Sequence, residues 1–213
     1  MPAQTLAGKV VAIGGGAKNL GGLISLTLGA DGARLAVHYN SEATAGAAEE
    51  TVKAVKKSGG EAFAIEGDLR RVPEVVRLFD ETQRRYGTVN IAINTVGKVL
   101  KKPIVETGEA EYDQMFAVNS KAAYFFIREA AKRIPDNSNG KIITVLTSLL
   151  AAFTGLYSVY AGSKAPVEHF TRRPRSSVRA GSRSTMWRRD RWTRRSSTRP
   201  RTGTRSPTTS RPA

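Results

Sequence analysis

Lys9-Val10-Val11-Ala12-Ile13-Gly14-Gly15-Gly16-Ala17-Lys18-Asn19-Leu20-Gly21 decides the reading of the fold. Lys9 to Ile13 is short, apolar and β-rich, which suits a buried strand. A glycine cluster follows, and then Leu23 to Gly29, a run with helical character. Strand, glycine turn and helix in that order form the setting of a dinucleotide-binding turn, in which backbone rather than side chains approaches a diphosphate.

The pattern repeats downstream. Arg34 to Tyr39 reads as a second strand and Glu42 to Lys57 as a helix, with Ala45, Ala48, Val52 and Val55 on one face and Gly59-Gly60 at its end. Glu61 to Glu66 is a third strand. Pro73 sits where a first helical turn accepts proline, ahead of Val75, Val76, Leu78 and Phe79. Val89 to Asn94 is a fourth strand, and a helix is expected over Tyr112 to Arg133. Lys141 to Leu146 is a fifth strand, and Tyr157 to Phe170 a further helix, with Pro166 awkwardly inside it. Alternation of this kind predicts an α/β fold, a Rossmann-type doubly wound parallel sheet. Ligands of such sheets lie beyond the carboxyl ends of the strands. The glycine turn, Asp68, Asn94 and Ser148 all fall at those ends.

Composition narrows the function. The chain has 213 residues and no cysteine, so disulfides, zinc–thiolate sites and thiol nucleophiles are excluded. No metal centre is expected. No apolar run is long enough to span a bilayer, and Met1 to Gly8 lacks the layout of a signal peptide, so a cytoplasmic protein is the expectation. The net charge is +16, but from Arg172 onward there are 14 arginines, no lysine and one acid, Asp190, a surplus of +13. The basicity therefore belongs to the tail. Residues 1–171 form the expected globular domain.

Tyr160 and Lys164 are four residues apart, one turn apart on one face of a helix. A neighbouring ammonium favours a phenolate, which can exchange a proton with a carbonyl or alcohol oxygen. Ser148, at the end of the fifth strand, has a hydroxyl suited to the same oxygen. Alone, this pair is as readily an amphipathic helix with a solvated lysine. His38 reads as an ordinary strand histidine and His169 as a helix-surface residue.

Taken together, residues 8–171 resemble the short-chain dehydrogenase/reductase family, in particular its 3-oxoacyl-carrier-protein reductase-like members. The family's T-G-x-x-x-G-x-G is matched by Gly14 to Gly21, with Asn19 in place of the middle glycine; Asn tolerates positive φ better than most residues. Its N-N-A-G is matched by Asn94-Thr95-Val96-Gly97. The resemblance implies Ser148, Tyr160, Lys164 and Asn119 as catalytic residues. It implies Gly15, Ala17, Lys18, Asn19, Leu20, Gly21, Asn40, Ser41, Asp68, Leu69, Asn94 and Gly97 as the cofactor site, with Tyr160 and Lys164 shared. Asp68 is placed near the adenine, although as a bare feature it is equally a helix cap. No acid follows the second strand, where His38-Tyr39-Asn40-Ser41 stands, and Lys18 occupies the place of a 2′-phosphate partner. NADP(H) is therefore favoured over NAD(H).

The implied function is hydride transfer between nicotinamide and a small-molecule ketone or alcohol, as in a carbonyl reductase. Tyr160 is acid or base, Lys164 holds the ribose, Ser148 orients the substrate oxygen, and Asn119 holds a water in a proton relay. A homodimer or homotetramer is expected through the Tyr112 to Arg133 helix, where Ala117, Ala122, Ala123 and Ala130 permit close approach; the alternative is that these alanines merely pack on the sheet. A reductase fold without turnover is the alternative.

The tail, 172–213, is rich in Arg, Ser, Thr and Pro and is expected to lack a regular fold. As a basic arm, with Trp187 and Trp192 for stacking, it suits nucleic acid, but another reading is preferred. Met186-Trp187 fixes the codons ATG-TGG. Read one nucleotide earlier, the coding text through Thr193 permits Val-Ala-Pro-Gly-Pro-Met-Asp-Thr, which resembles the family's proline–glycine motif. A frameshift near Thr171 to Arg173 is the expectation, with a sheet incomplete at its C-terminal strands and no nucleic acid or membrane partner.

Overall fold

A computed structural model describes residues 5–136, 138–152, 155–172 and 183–187, with backbone alone for Arg172 and Arg183–Trp187. The elements are β1 (Val10–Gly14), α1 (Asn19–Ala30), β2 (Arg34–Tyr39), α2 (Ala45–Lys57), β3 (Glu61–Glu66), α3 (Val72–Tyr86) and β4 (Ile91–Asn94). They continue as α4 (Glu109–Phe116), a π-helical turn (Ala117–Lys121), α5 (Ala122–Arg133), β5 (Lys141–Val145), α6 (Ser158–Arg172) and β6 (Arg183–Trp187). The sheet order is β3-β2-β1-β4-β5-β6, with every pair parallel. This is the doubly wound arrangement expected. The order in which strands are added switches sides between β1 and β4, and that crevice is where such sheets bind ligands.

Both sheet faces are covered, so β1 is buried along its whole length. Its side chains still alternate. Val11 and Ile13 pack with Leu35, Val37, Ala48 and Val55 beneath α2. Ala12 joins the opposite core of Phe79, Leu78, Phe126 and Ile142, beneath α3 and α5. Phe79 and Phe126 meet edge to face at 5.0 Å. Pro73 falls in the first turn of α3, and Gly87 ends that helix in the left-handed region at φ +78°.

Several boundaries differ from expectation. α1 begins at Asn19, inside the glycine turn. Glu42–Thr44 is a 3₁₀ turn ahead of α2. The long helix starts at Glu109, because the Glu111 carboxylate accepts the Gly108 amide at 3.0 Å, a cap that needs no side chain at Gly108. Pro166 lies inside α6, which runs on to Arg172. Ala122, Ala123 and Ala130 do not face outward; they are buried in the core and beneath α6. Among the described residues of the tail, Arg183–Trp187 forms a strand paired along β5, a correction to the expectation of no regular element. The rest of the arginine-rich arm, and most of the text expected to be frameshifted, fall outside the described residues.

Candidate active site at the carboxyl edge of the sheet

A cleft of about 440 Å³ opens at the β1–β4 crevice. Of the cofactor residues expected from the sequence, Gly15, Ala17, Lys18, Asn19, Leu20, Gly21, Asn40, Asp68, Leu69 and Gly97 line it. Ser41 and Asn94 do not. The Ser41 carbonyl accepts the Thr44 amide and hydroxyl in the turn after β2. The Asn94 carboxamide is buried and accepts the Val96 amide at 3.1 Å, which shapes the turn after β4.

The glycine turn is held from behind by hydroxyls. Thr95 donates to the Gly14 and Gly15 carbonyls at 2.8 and 3.1 Å. Ser25 donates to Gly16 at 2.9 Å, and Thr51 to Ala17 at 2.8 Å. Four successive carbonyls thus lie within reach of a hydroxyl donor, and the Gly14 carbonyl also accepts the Thr95 amide at 2.9 Å. Gly15 has φ +74°, and a Cβ there would lie 2.8 Å from Thr95 Oγ1. A Cβ at Gly21 would collide with the Gly15 carbonyl oxygen. Asn19 adopts φ +51°, so asparagine takes the left-handed conformation that the motif's glycine would supply. The N-cap of α1, Lys18, makes no side-chain cap, and the first turn has no acid. Free helix N-terminal amides, a lysine and a turn too tight for side chains fit a dinucleotide diphosphate.

His38 was read as an ordinary strand residue, and the structure gives it more. Its Nδ1 accepts the Gly15 amide at 3.1 Å, and its Nε2 lies 2.6 Å from the Gly67 carbonyl. At the outer end of the cleft, Arg70 Nε reaches both Asp68 carboxylate oxygens at 2.9 Å, and the Arg70 amide donates to Oδ1. These bonds hold the Asp68 carboxyl below the usual carboxylate range. Arg70 and Asp68 offset one another, and Lys18 supplies a further positive charge to the cleft lining.

The expected catalytic residues do not line the cleft; two of them, Lys164 and Asn119, meet it at Gly97. Lys164 on α6 is buried, and its Nζ donates to the Val96 and Val145 carbonyls at 3.3 and 3.4 Å. Burial lowers its pKa to about 8. A Cβ on Gly97 would lie 2.8 Å from Lys164 Nζ and 3.1 Å from Asn119 Oδ1. Asn119 sits in the π turn, a distortion frequent at functional sites. Its Nδ2 donates to the Lys98 carbonyl and to Ser163 Oγ, both at 2.9 Å, and its Oδ1 accepts the Lys98 amide. Ser163 in turn donates to the Tyr160 carbonyl at 2.8 Å. Ser163 escaped the sequence reading, since nothing local marks a serine beside Lys164 as the link to a residue 44 positions earlier. Tyr160 is buried among Met115, Val159, Leu100, Leu149 and Tyr157. Ser148 begins a 3₁₀ turn after β5, and Thr147 Oγ1 accepts the Leu149 amide there. Among the described residues the Ser148 hydroxyl makes no hydrogen bond.

The family model for short chain dehydrogenase matches residues 9–180. A hydroxynaphthalene reductase-like protein of Metarhizium brunneum is 39% identical over 171 residues, covering 79% of this chain and 62% of that protein. This chain thus spans about 62% of the length of the first curated relatives it matches. A putative dehydrogenase of Burkholderia cenocepacia, solved with bound NADP, superposes with TM-score 0.76 and 57% identity, covering 81% of this chain and 64% of that one. A short-chain dehydrogenase of Oenococcus oeni superposes with TM-score 0.64 and 48% identity, covering 78% and 68%. With the fold, the glycine turn and the Tyr160–Lys164 helix in place, the chain belongs to the short-chain dehydrogenase/reductase family.

Proposed function

We propose that this chain is an NADP(H)-preferring oxidoreductase interconverting a ketone and an alcohol. The observation that carries the reading is the meeting of buried Lys164 and Asn119 over Gly97, on the wall of the glycine-turn cleft. The nicotinamide, when bound, supplies or takes the hydride. Tyr160, on the Lys164 helix, gives the carbonyl oxygen its proton in reduction and removes one from the alcohol in oxidation. The Lys164 ammonium stabilises negative charge on the phenolic oxygen. Ser148, with its hydroxyl unspent, orients the substrate oxygen. The Asn119 side chain is committed to Lys98 and Ser163, so it locks the Gly97 loop against α6. Apolar Leu100, Leu149 and Tyr157 around Tyr160 suit a ketone with an apolar body.

The preference for the 2′-phosphate rests on Lys18, Asn40 and Arg70 at the outer end, with the Asp68 charge already neutralised. The NADP in the Burkholderia structure supports it. Self-association is supported by the outer face of α4 and α5. There Tyr112 and Tyr124 are about half exposed, and Phe116, Phe125 and Phe170 line a groove of about 460 Å³. Among the described residues no helix is long and apolar enough to cross a membrane.

The test is NADPH binding by fluorescence, followed by ketone-dependent NADPH oxidation with wild type and Tyr160→Phe. Retained binding with turnover reduced by about 100-fold or more supports the assignment. Undiminished turnover in Tyr160→Phe overturns it. Binding by wild type without turnover selects a cofactor-binding reductase fold instead.

A further inference from the structure

Among the described residues, His38 is a buried titratable side chain that the hydride chemistry leaves unused. His38, the penultimate residue of β2, is 2% exposed and forms part of the cleft wall. Its two ring nitrogens meet two backbone groups of fixed role. The Gly15 N–H can only donate, so Nδ1 must carry a lone pair. The Gly67 carbonyl can only accept, so Nε2 must carry the proton. The tautomer is therefore set by geometry, and the ring must be neutral. Asp68 and Glu74 favour a proton on it, Arg77 opposes one, and burial dominates, lowering its pKa to about 4.

The consequence lies at Gly15. This residue holds φ +74°, and its amide is the first donor of the turn. The turn's carbonyls are fixed by Thr95, Ser25 and Thr51. The Gly15 amide is fixed by His38, which in the same stroke joins the turn to the end of β3 at Gly67. We infer that His38 is a positioning residue of the dinucleotide site, holding the glycine turn in its binding shape through an acceptor at Nδ1. The inference rests on the dinucleotide reading of the cleft. It assigns separate work to the two nitrogens: Nδ1 sets the turn, whereas the bond from Nε2 to Gly67 anchors the ring.

Two substitutions separate them. His38→Asn places an amide oxygen near Nδ1 and gives up the reach to Gly67. His38→Gln extends to the Nε2 position and gives up the acceptor facing Gly15. Binding of NADP⁺ and NAD⁺ to the full 213-residue chain is measured by titration calorimetry at pH 7.5, with thermal unfolding recorded in parallel. His38→Asn is expected to bind NADP⁺ within about threefold of wild type, and His38→Gln about tenfold or more weakly. A role in stability alone would lower the unfolding temperature of both variants and leave their affinities alike. Equal affinities, a tighter Gln variant, or a tenfold loss in the Asn variant overturns the inference while leaving the dinucleotide reading standing. A folded wild type that binds neither nucleotide overturns the reading and the inference together.

Discussion

Asn119 and Lys98 are joined by two hydrogen bonds that run in opposite directions. The Lys98 amide donates to Asn119 Oδ1, and Asn119 Nδ2 donates to the Lys98 carbonyl, each at 2.9 Å. A side-chain amide thus pairs with a loop backbone as one strand pairs with another. The same Nδ2 also reaches Ser163, so a single buried residue fastens the loop after β4 to the helix of Tyr160 and Lys164.

Asn119→Ala leaves a backbone amide, a carbonyl and the Ser163 hydroxyl without this partner. Unfolding in urea is expected to show a loss of about 2–4 kcal/mol. Asn119→Ser, which keeps one donor and acceptor on a shorter arm, should recover only part of it. A loss below about 0.5 kcal/mol for the alanine variant would mean that water replaces all three bonds.

Gly97→Ala puts a methyl group 2.8 Å from Lys164 Nζ. The lysine end is flexible and gives way, so the fold survives while the ammonium moves. Ketone-dependent NADPH oxidation is expected to fall about tenfold or more, with an unfolding midpoint close to wild type. Full activity in this variant would detach Lys164 from the chemistry.

Lys164 carries a stability cost with a definite pH window. Its pKa in the fold is about 8 against an ordinary 10.5, so between those values the unfolded chain holds more protons. Its contribution to stability is fully present above pH 10.5 and is lost as pH falls through 8, a span worth about 3 kcal/mol. Below pH 8 the penalty is constant. Lys164→Met is therefore expected to be more stable than wild type at pH 7, with the difference shrinking toward pH 10, and to lack turnover. Urea midpoints at the two pH values check this.

His38 has a lower window. Its folded pKa of about 4 lies below the ordinary 6.5, so stability is fully present above 6.5 and falls as pH drops through 4, by about 3 kcal/mol at most. The uncharged His38→Asn should lose this slope. Parallel acid unfolding curves for the two proteins would show that another group sets the acid limit.

What was legible in the sequence follows from the range of each interaction. Strand, glycine turn and helix are local, so Val10 to Ala30 could be read from composition and spacing. Asn19 at φ +51° was legible because a property of one residue decided it. His38 was not, since its partners lie 23 and 29 residues away and strand histidines are common. The start of the long helix was missed because its cap is Glu111 reaching back to Gly108, and neither residue stands out alone. The alanines of α5 left two readings open, close helix approach between copies or packing on the sheet, for a related reason. Small residues permit close packing with whatever lies nearest, and for Ala122 and Ala130 that is the protein's own core.

The hydroxyls behind the glycine turn have one more consequence. Thr95, Ser25 and Thr51 come from the end of β4, from α1 and from α2, and Thr51 is 34 residues from the carbonyl it holds. The turn's ordering entropy is therefore spent when the chain folds, not when a nucleotide arrives. Such a template is rigid, and association with it proceeds with little backbone movement. It also makes α2, whose Thr51 holds the Ala17 carbonyl, a place from which a substitution is expected to loosen the turn without touching what the turn binds.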